Sequence, residues 1–560
     1  MSDAAGSQAN DPAPGSMADS EIAAAGAFGP TQARRSVLSG GAWSVSSWIL
    51  SIGLGFPLTI ALVRLLPSRE YGALAVATAT IALLMPLAGF GLAGSVSRLA
   101  SEAVTLSGEP GLGSVMRRAA RVAGLLTAIV GLIAIGVVTL MAVSRSLRPG
   151  LLPFVVLLPV LLSTPFQQAA QGLVQAAFRP SVAFRAGLVV SLLVGLLTTA
   201  VLVSGQRLAV EIAGVRTIAA IVGLWLLVVG SGWGEFTRRG RALPTPQTSA
   251  FVAYGSVLTL SLGLDAAISQ LDVVVLGASR GAAEVGAYAP VSRLADTVIT
   301  IWALLGGYLL PALTAAAARG HETEIGALYR WGSRWALTIC APALGLMLVV
   351  PGSLLHVLFG DRTAGLTTPA RILSLGVLAS VLLGFNGLVL VAMGAVRTAI
   401  QTAVIGLIAS TAACILLVPR FGANGAASAT VIALVGANLI VSVILLVRQH
   451  LAPWDRPLMF TLAAFAAACI VSGLISRLLL NDRVIQVVIV AAVTGLATLA
   501  ASLAAGDQSD RKLVSDFVRR RSQQAPTSAI HGALDALKSE EVGPRNEETK
   551  APDDNRTYEP

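Results

Sequence analysis

The sequence predicts an all-α integral membrane protein of about 14 transmembrane helices, arranged as two parallel six-helix repeats around a central cavity with two extra C-terminal helices. Three observations predict it. Of 560 residues, 55% are hydrophobic and 12% charged, with a mean hydropathy of +0.78. A soluble chain carries about 25% charged residues, so too little polar surface remains to cover several water-soluble domains. Apolar windows of about 20 residues, matched to a hydrocarbon core of about 30 Å, recur along the chain. Finally, Glu70-Tyr71-Gly72-Ala73 recurs as Glu284-Val285-Gly286-Ala287, offset by 214 residues, and Gln171-Gly172-Leu173-Val174 as Asn386-Gly387-Leu388-Val389, offset by 215. A near-constant offset with the windows in step implies repeats. An even number of spans in each makes them parallel, related by an axis along the membrane normal.

The windows fall at 42–65, 73–93, 120–142, 151–172, 183–204, 209–230, 251–276, 287–313, 332–351, 369–393, 398–418, 425–447, 457–476 and 484–505. Pro57, Pro86, Pro159, Pro165, Pro311 and Pro342 interrupt runs that must stay helical in lipid, which predicts kinks. Spans 1–6 form an N-lobe over residues 40–245, spans 7–12 a C-lobe over 246–450, and residues 451–505 hold spans 13 and 14. Residues 1–39 are rich in Ala, Ser, Gly and Pro and lack the early apolar run of a signal peptide, so they read as a disordered cytosolic lead. Residues 506–560 are polar and too short for a catalytic domain. Within them, Leu513, Val514, Phe517 and Val518 share a helical face amid bases, which predicts an interfacial helix at 510–521. With the N-terminus in the cytosol, 22 bases fall on the inner side and 11 on the outer, and Trp43, Trp233, Trp331, Trp335 and Trp454 lie at cytosolic helix ends. Both termini are therefore expected in the cytosol.

Charge and motif content exclude several classes. Residues 34–505 hold 30 bases against 14 acids, and every one of those bases is arginine. Guanidinium groups stay charged and match carboxylate or phosphate. They lie mostly at helix ends with no aromatic-basic groove, so nucleic acid is not an expected partner. The three lysines follow Arg511, Leu537 and Thr549, which excludes a Walker A loop. The four histidines are scattered without an HExxH pair, and the adjacent acid pairs Glu540-Glu541, Glu547-Glu548 and Asp553-Asp554 all lie in the tail. No enzyme is expected, with no catalytic residue, metal or cofactor. Cys340, Cys414 and Cys469 sit in apolar runs without CxxC spacing and read as small core residues.

Ionisable groups inside the windows are costly in lipid and mark either internal pairs or a cavity. Asp265 and Asp272 lie on one face of span 7, and Arg293 and Asp296 are one turn apart in span 8. Because span 8 returns alongside span 7, Asp272 and Arg293 are expected to meet at similar depth. They form either a structural ion pair or, with Asp265 and Asp296, a cavity site for an ion, a proton or substrate. The first-half equivalents of Asp272 and Arg293, near Leu58 and Ala79, are uncharged. Glu211 and Arg216 open span 6 and are assigned to its solvated interface. Gln167, Gln171 and Gln175 form an i, i+4, i+8 stripe on span 4, leading to Arg179 and Arg185, with Asn386 at the repeat position of Gln171. Such amides face protein or water, as interhelical hydrogen bonds or as a sugar-contacting wall.

The stretch Gly89-Phe90-Gly91-Leu92-Ala93-Gly94-Ser95-Val96-Ser97-Arg98 is one of several that resemble a known family. The others are Gln270-Leu271-Asp272-Val273-Val274-Val275-Leu276-Gly277, followed by Val285-Gly286-Ala287-Tyr288 and Ser292-Arg293-Leu294, then Leu358-Phe359-Gly360 and Pro419-Arg420-Phe421-Gly422-Ala423-Asn424-Gly425-Ala426-Ala427. In order and spacing, over about residues 35–505, they resemble the Wzx-type polysaccharide flippases of the multidrug/oligosaccharidyl-lipid/polysaccharide exporter superfamily. The resemblance implies a multi-pass protein of the bacterial cytoplasmic membrane. Two six-helix bundles would alternate access, carrying an undecaprenyl-pyrophosphate-linked glycan from the inner to the outer leaflet for surface polysaccharide assembly. Arg98 and Arg293 become the leading candidates for headgroup contact, followed by Arg64, Arg179 and Arg185. Membrane lipid is a further partner, and the tail a contact for glycan-assembly proteins. Spans 13 and 14 favour a lipid-linked substrate over a drug. The alternatives are a cation- or proton-coupled drug exporter using Asp265 and Asp272, a peptidoglycan-precursor flippase, and a membrane glycan polymerase or ligase.

Overall fold

The computed structural model describes residues 53–107, 109–176, 180–233, 248–479 and 481–506. The expectations for residues 1–39, for Arg179 and for the helix at 510–521 lie outside the described residues. The first half of the chain contributes α1 (Gly53–Leu65), α2 (Ser68–Gly89), α3 (Leu92–Ser107), α4 (Glu109–Val143), α5 (Leu151–Ala176), α6 (Pro180–Val203) and α7 (Ala209–Gly230). After these come α8 (Thr248–Arg280), α9 (Ala282–Ala318), α10 (Glu322–Val349), the short α11 (Pro351–Phe359), α12 (Thr367–Leu383), α13 (Asn386–Ala392), α14 (Val396–Phe421) and α15 (Ala423–Gln449). Finally α16 (Arg456–Leu479) and α17 (Arg483–Ala505) pack on each other and on α10. Among the described residues there is no strand. Among these residues, eleven helical segments are long and apolar enough to cross a membrane, and a twelfth if bent α9 counts as one span.

The expected prolines sit inside helices, and only some of them stand at a break. Span 2 is interrupted after Pro86, where Phe90 and Gly91 take positive φ of 41° and 58° and end α2 before α3 begins. Span 10 divides at Gly384, φ 70°, into α12 and α13, and the Tyr329 hydroxyl takes up the Leu383 carbonyl beside the break. The 40° bend in α9 separates Ala282–Gly307 from Leu309–Ala318. Pro311 cannot donate to the Gly307 carbonyl four residues back, which is where the helix gives way. Pro159 and Pro165 lie within one continuous α5.

At the centre, α2 packs against α5, α8 and α9. The α2–α9 crossing is the tightest feature of the fold. A Cβ placed on Gly72 would overlap the Ala282 carbonyl oxygen, and one on Gly286 would overlap the Ser68 carbonyl oxygen. Only glycine at both positions permits backbone-to-backbone approach. Beside this crossing, Glu70 accepts from the Ala209 backbone N–H at 3.0 Å and Glu284 from that of Ala423 at 3.0 Å. Each carboxylate thus satisfies an orphan donor at the positive end of a helix, α7 or α15. Both bonds join residues 139 apart in sequence.

Candidate functional site

A cavity of about 330 Å³ opens between α1, α2 and α7 on one side and α8 and α9 on the other. Its wall along α9 runs from Ala289 to Thr300, a depth of about 16 Å at 1.5 Å per residue. Leu62 and Tyr71 line it toward the glycine crossing, and Gly55 and Thr78 lie farther in. Thr59, Ser269, Gln270, Ser292 and Thr297 add hydroxyl and amide groups. At this volume, low in the range of small-molecule sites, there is room for a headgroup but not for a whole oligosaccharide.

Two guanidinium groups and one carboxylate share this space: Arg216, Arg293 and Asp296. Arg293 Nη1 stands 3.6 Å from Asp296 Oδ2 on the same face of α9, with the two side chains 48% and 30% exposed. That exposure makes them wall groups of an open cavity rather than members of a sealed ion pair. Arg216 lies close enough to Tyr71 and Arg293 to feel both electrostatically. Its expected place at a solvated helix end is corrected. It sits two turns inside α7, where the helix starting at Ala209 carries it down to cavity depth, while the Glu211 Oε2 is shielded from solvent.

The expected meeting of Asp272 with Arg293 is also corrected. Asp272 is 1% exposed; its Oδ2 accepts from the Tyr288 hydroxyl at 2.7 Å and from Thr430 Oγ1 at 3.0 Å, and its Oδ1 from the Val273 N–H at 2.7 Å. The reason is the turn. Helices α8 and α9 are joined by Gly281 alone, φ 88°, so Tyr288 reaches Asp272 across the pair, and Arg293, five residues farther along α9, lies deeper on the cavity wall. Asp265 belongs to α8, and its side chain lies outside the described residues.

The remaining candidates are placed elsewhere. The Arg64 guanidinium donates to the carbonyls of Val357 and, at 2.8 Å, Leu358. Arg98 on α3 is half-buried and Arg185 on α6 exposed, and neither lines this cavity. Gln167 Nε2 donates to the Ala220 carbonyl at 3.1 Å, joining α5 to α7, while Gln171 is half-buried on α5. Asn386 is 2% exposed and donates to the Asn438 carbonyl at 2.6 Å and to Ser442 Oγ at 2.9 Å, joining α13 to α15. Of the site candidates, the cavity therefore unites Arg293 and Asp296 and adds Arg216.

The sequence profile of the family described as "Polysaccharide biosynthesis protein" matches residues 37–317, half of the chain. The chain belongs to that family. No curated protein matches it. Among solved structures, it is similar to the lipid II flippase MurJ in an inward closed conformation, with a TM-score of 0.58 at 12% identity over 84% of this chain and 99% of that one. It is also similar to a multidrug resistance MATE family transporter of the MOP superfamily. The inward-facing form gives a TM-score of 0.57 at 13% identity over 70% and 92% of the two chains, and the outward-facing form 0.51 at 12% over 72% and 93%. At such identities the likeness is one of fold, and the polysaccharide family member shares its fold with these transporters.

Proposed function

We propose that this polysaccharide family member is a flippase that carries a polyprenyl-pyrophosphate-linked oligosaccharide from the inner to the outer leaflet by alternating access. The observation that carries this reading is the cavity in which Arg216 and Arg293 face one carboxylate, Asp296. A diphosphate entering a membrane must exchange its hydration for strong donors, and guanidinium forks supply them bidentately. Hydroxyl and amide groups on the wall can hydrogen-bond the first sugar, while the polyprenyl tail stays in the bilayer.

The fuller layout of fourteen spans, with two parallel six-helix repeats and two additions, belongs to the same proposal. Two facts support it. The Glu70–Ala209 and Glu284–Ala423 bonds are related residue by residue at the 214-residue offset. The cavity wall repeats as well: Gly55, Phe56, Thr59, Ala75 and Thr78 correspond at that offset to Ser269, Gln270, Val273, Ala289 and Ser292. A site built from matched positions lies on the axis between two halves. The excess of arginine on the N-terminal side supports cytosolic termini in an inner membrane and puts the glycine crossing at the outer face.

The test is reconstitution of the full chain into liposomes holding fluorescent polyprenyl-pyrophosphate oligosaccharide, with an impermeant glycosidase reporting arrival at the far leaflet. Flipping well above protein-free liposomes is expected. Saturable efflux of a cationic dye with no glycolipid movement would replace the proposal with drug export. Competition by peptidoglycan precursor alone would reassign the substrate.

A further inference from the structure

Beneath the outer face assigned above, two arginines cross between the halves. Arg64, at the end of α1, donates to the carbonyls of Val357 and Leu358 at the C-terminus of α11. Arg362, in the 3-10 turn Asp361–Leu366 that follows α11, donates to the carbonyls of Leu66 and Val63 at the C-terminus of α1. Each arginine therefore binds the helix end that its counterpart stands beside. We propose that Arg64 and Arg362 form a reciprocal strap that holds this end of the cavity shut, and that its release is a step in opening outward.

The chemistry suits a releasable closure. The last carbonyls of a helix lack intrahelical partners and carry the negative end of its dipole, so a cation is the favoured occupant. Backbone N–H groups already use the neighbouring acceptors, Leu66 N–H donating to Leu62 and Gly360 N–H to His356. The arginines take what remains. Both side chains are exposed, so water replaces their bonds when the halves part.

Its position sets its role. Val63 and Leu66 lie just before Ser68, where α2 begins its approach to α9, and Leu62 in the same turn lines the cavity. Separation at the glycine crossing therefore drags α1 away from α11 and breaks both arginine contacts together. The second-half anchor is braced in turn by α17, through Ser353 on Gln486 and Arg483 at 4.0 Å from Asp361. The C-terminal helices thus hold one side of the strap in place.

The proposal rests on the alternating-access reading, and cysteine accessibility tests it without substrate. In full-length protein with Cys340, Cys414 and Cys469 replaced by alanine, Thr59→Cys places a thiol on the cavity wall. An impermeant maleimide is then applied to right-side-out vesicles, and to inside-out vesicles as a reference. Arg64→Ala or Arg362→Ala is expected to raise outside labelling about tenfold, the factor that loss of one charge-assisted hydrogen bond gives, and to lower inside labelling. Arg64→Lys keeps the charge but not the two-point fork, and is expected to fall between. Monodisperse elution of each variant separates gating from misfolding, and Arg448→Ala, exposed in the last turn of α15, controls for loss of an exposed arginine. Labelling from both sides at rates that neither strap variant changes would overturn the strap while sparing alternating access. Labelling from one side in every variant would remove the strap together with the alternating access it serves.

Discussion

At the 214-residue offset, Asp272, Tyr288 and Thr430 of the second half correspond to Leu58, Leu74 and Arg216 of the first. One half uses this spot to enclose a carboxylate, and the other to bring a guanidinium into the cavity. Asp272 gains two hydroxyl donors and one backbone donor, so hydrogen bonds rather than a direct counter-cation hold it. Its counterpart position in α1 carries no acid, and Arg216 has the Tyr71 hydroxyl and Arg293 as electrostatic neighbours. Positions matched at the 214-residue offset differ where charge is required. The cavity is left with two bases and one acid.

The largest expected effect comes from erasing that difference. Arg216→Thr gives the first half the residue found in the second, and flipping in the liposome assay is expected to fall about 10- to 100-fold with membrane levels unchanged. That is the factor for losing a hydrogen-bonded charge contact worth about 1.5–3 kcal/mol. Adding Arg293→Ala is expected to bring flipping to the protein-free background. Wild-type flipping by Arg216→Thr would show that the asymmetry has no part in transport.

The converse change acts on stability. Asp272→Leu copies the first half but leaves the buried Tyr288 hydroxyl without its acceptor, while Thr430 keeps the Ala426 carbonyl; about 3 kcal/mol of destabilisation is expected, read as a lower melting temperature in detergent. Adding Tyr288→Phe and Thr430→Val removes both former donors and is expected to recover most of the loss. If the triple variant melts no higher than the single one, the carboxylate supports something other than its two hydroxyl partners.

Where the halves touch, they are expected to respond alike. Gly72→Ala and Gly286→Ala each drive a methyl into a facing carbonyl oxygen, and each should cost about 2 kcal/mol by overpacking. Gly124→Ala on α4, where a Cβ meets nothing within 4 Å, is the control and should be neutral or slightly stabilising. Unequal losses at Gly72 and Gly286 would mean that the crossing does not lie on an axis of the fold.

Much of the architecture was legible because lipid imposes length and hydropathy on every span, and because Glu70-Tyr71-Gly72 and Glu284-Val285-Gly286 repeat a working contact. What hydropathy reads is bilayer thickness rather than helix length. Helices α8 and α9 run on to Arg280 and Ala282, and Tyr288, which lies nearer the connecting turn than Arg293, is the residue that reaches Asp272. Arg216 was missed by treating the start of its window as the membrane surface, although comparison with Thr430 at the repeat offset would have placed it on an inward face. Arg64 was read as a headgroup contact and Arg362 not at all, since backbone carbonyls are their partners and α11 is too short to register as a span.

The smallest effect sharpens the same comparison. Glu70 and Glu284 each lie in the first turn of their own helix while accepting from the first N–H of another, so each carboxylate serves two helix N-termini at once. Glutamine at either position keeps an acceptor and loses the charge, and alanine loses both. About 1 kcal/mol is expected for each alanine variant and about half of that for each glutamine, as for ordinary helix caps. The two sites are also expected to be additive, because the two carboxylates cap different helices and share no bonded partner. Melting curves of the four single variants and the double alanine variant measure this. Coupling above about 0.5 kcal/mol between Glu70 and Glu284 would mean that the caps communicate through the Gly72–Gly286 contact, and that the outer ends of the two halves move as one body.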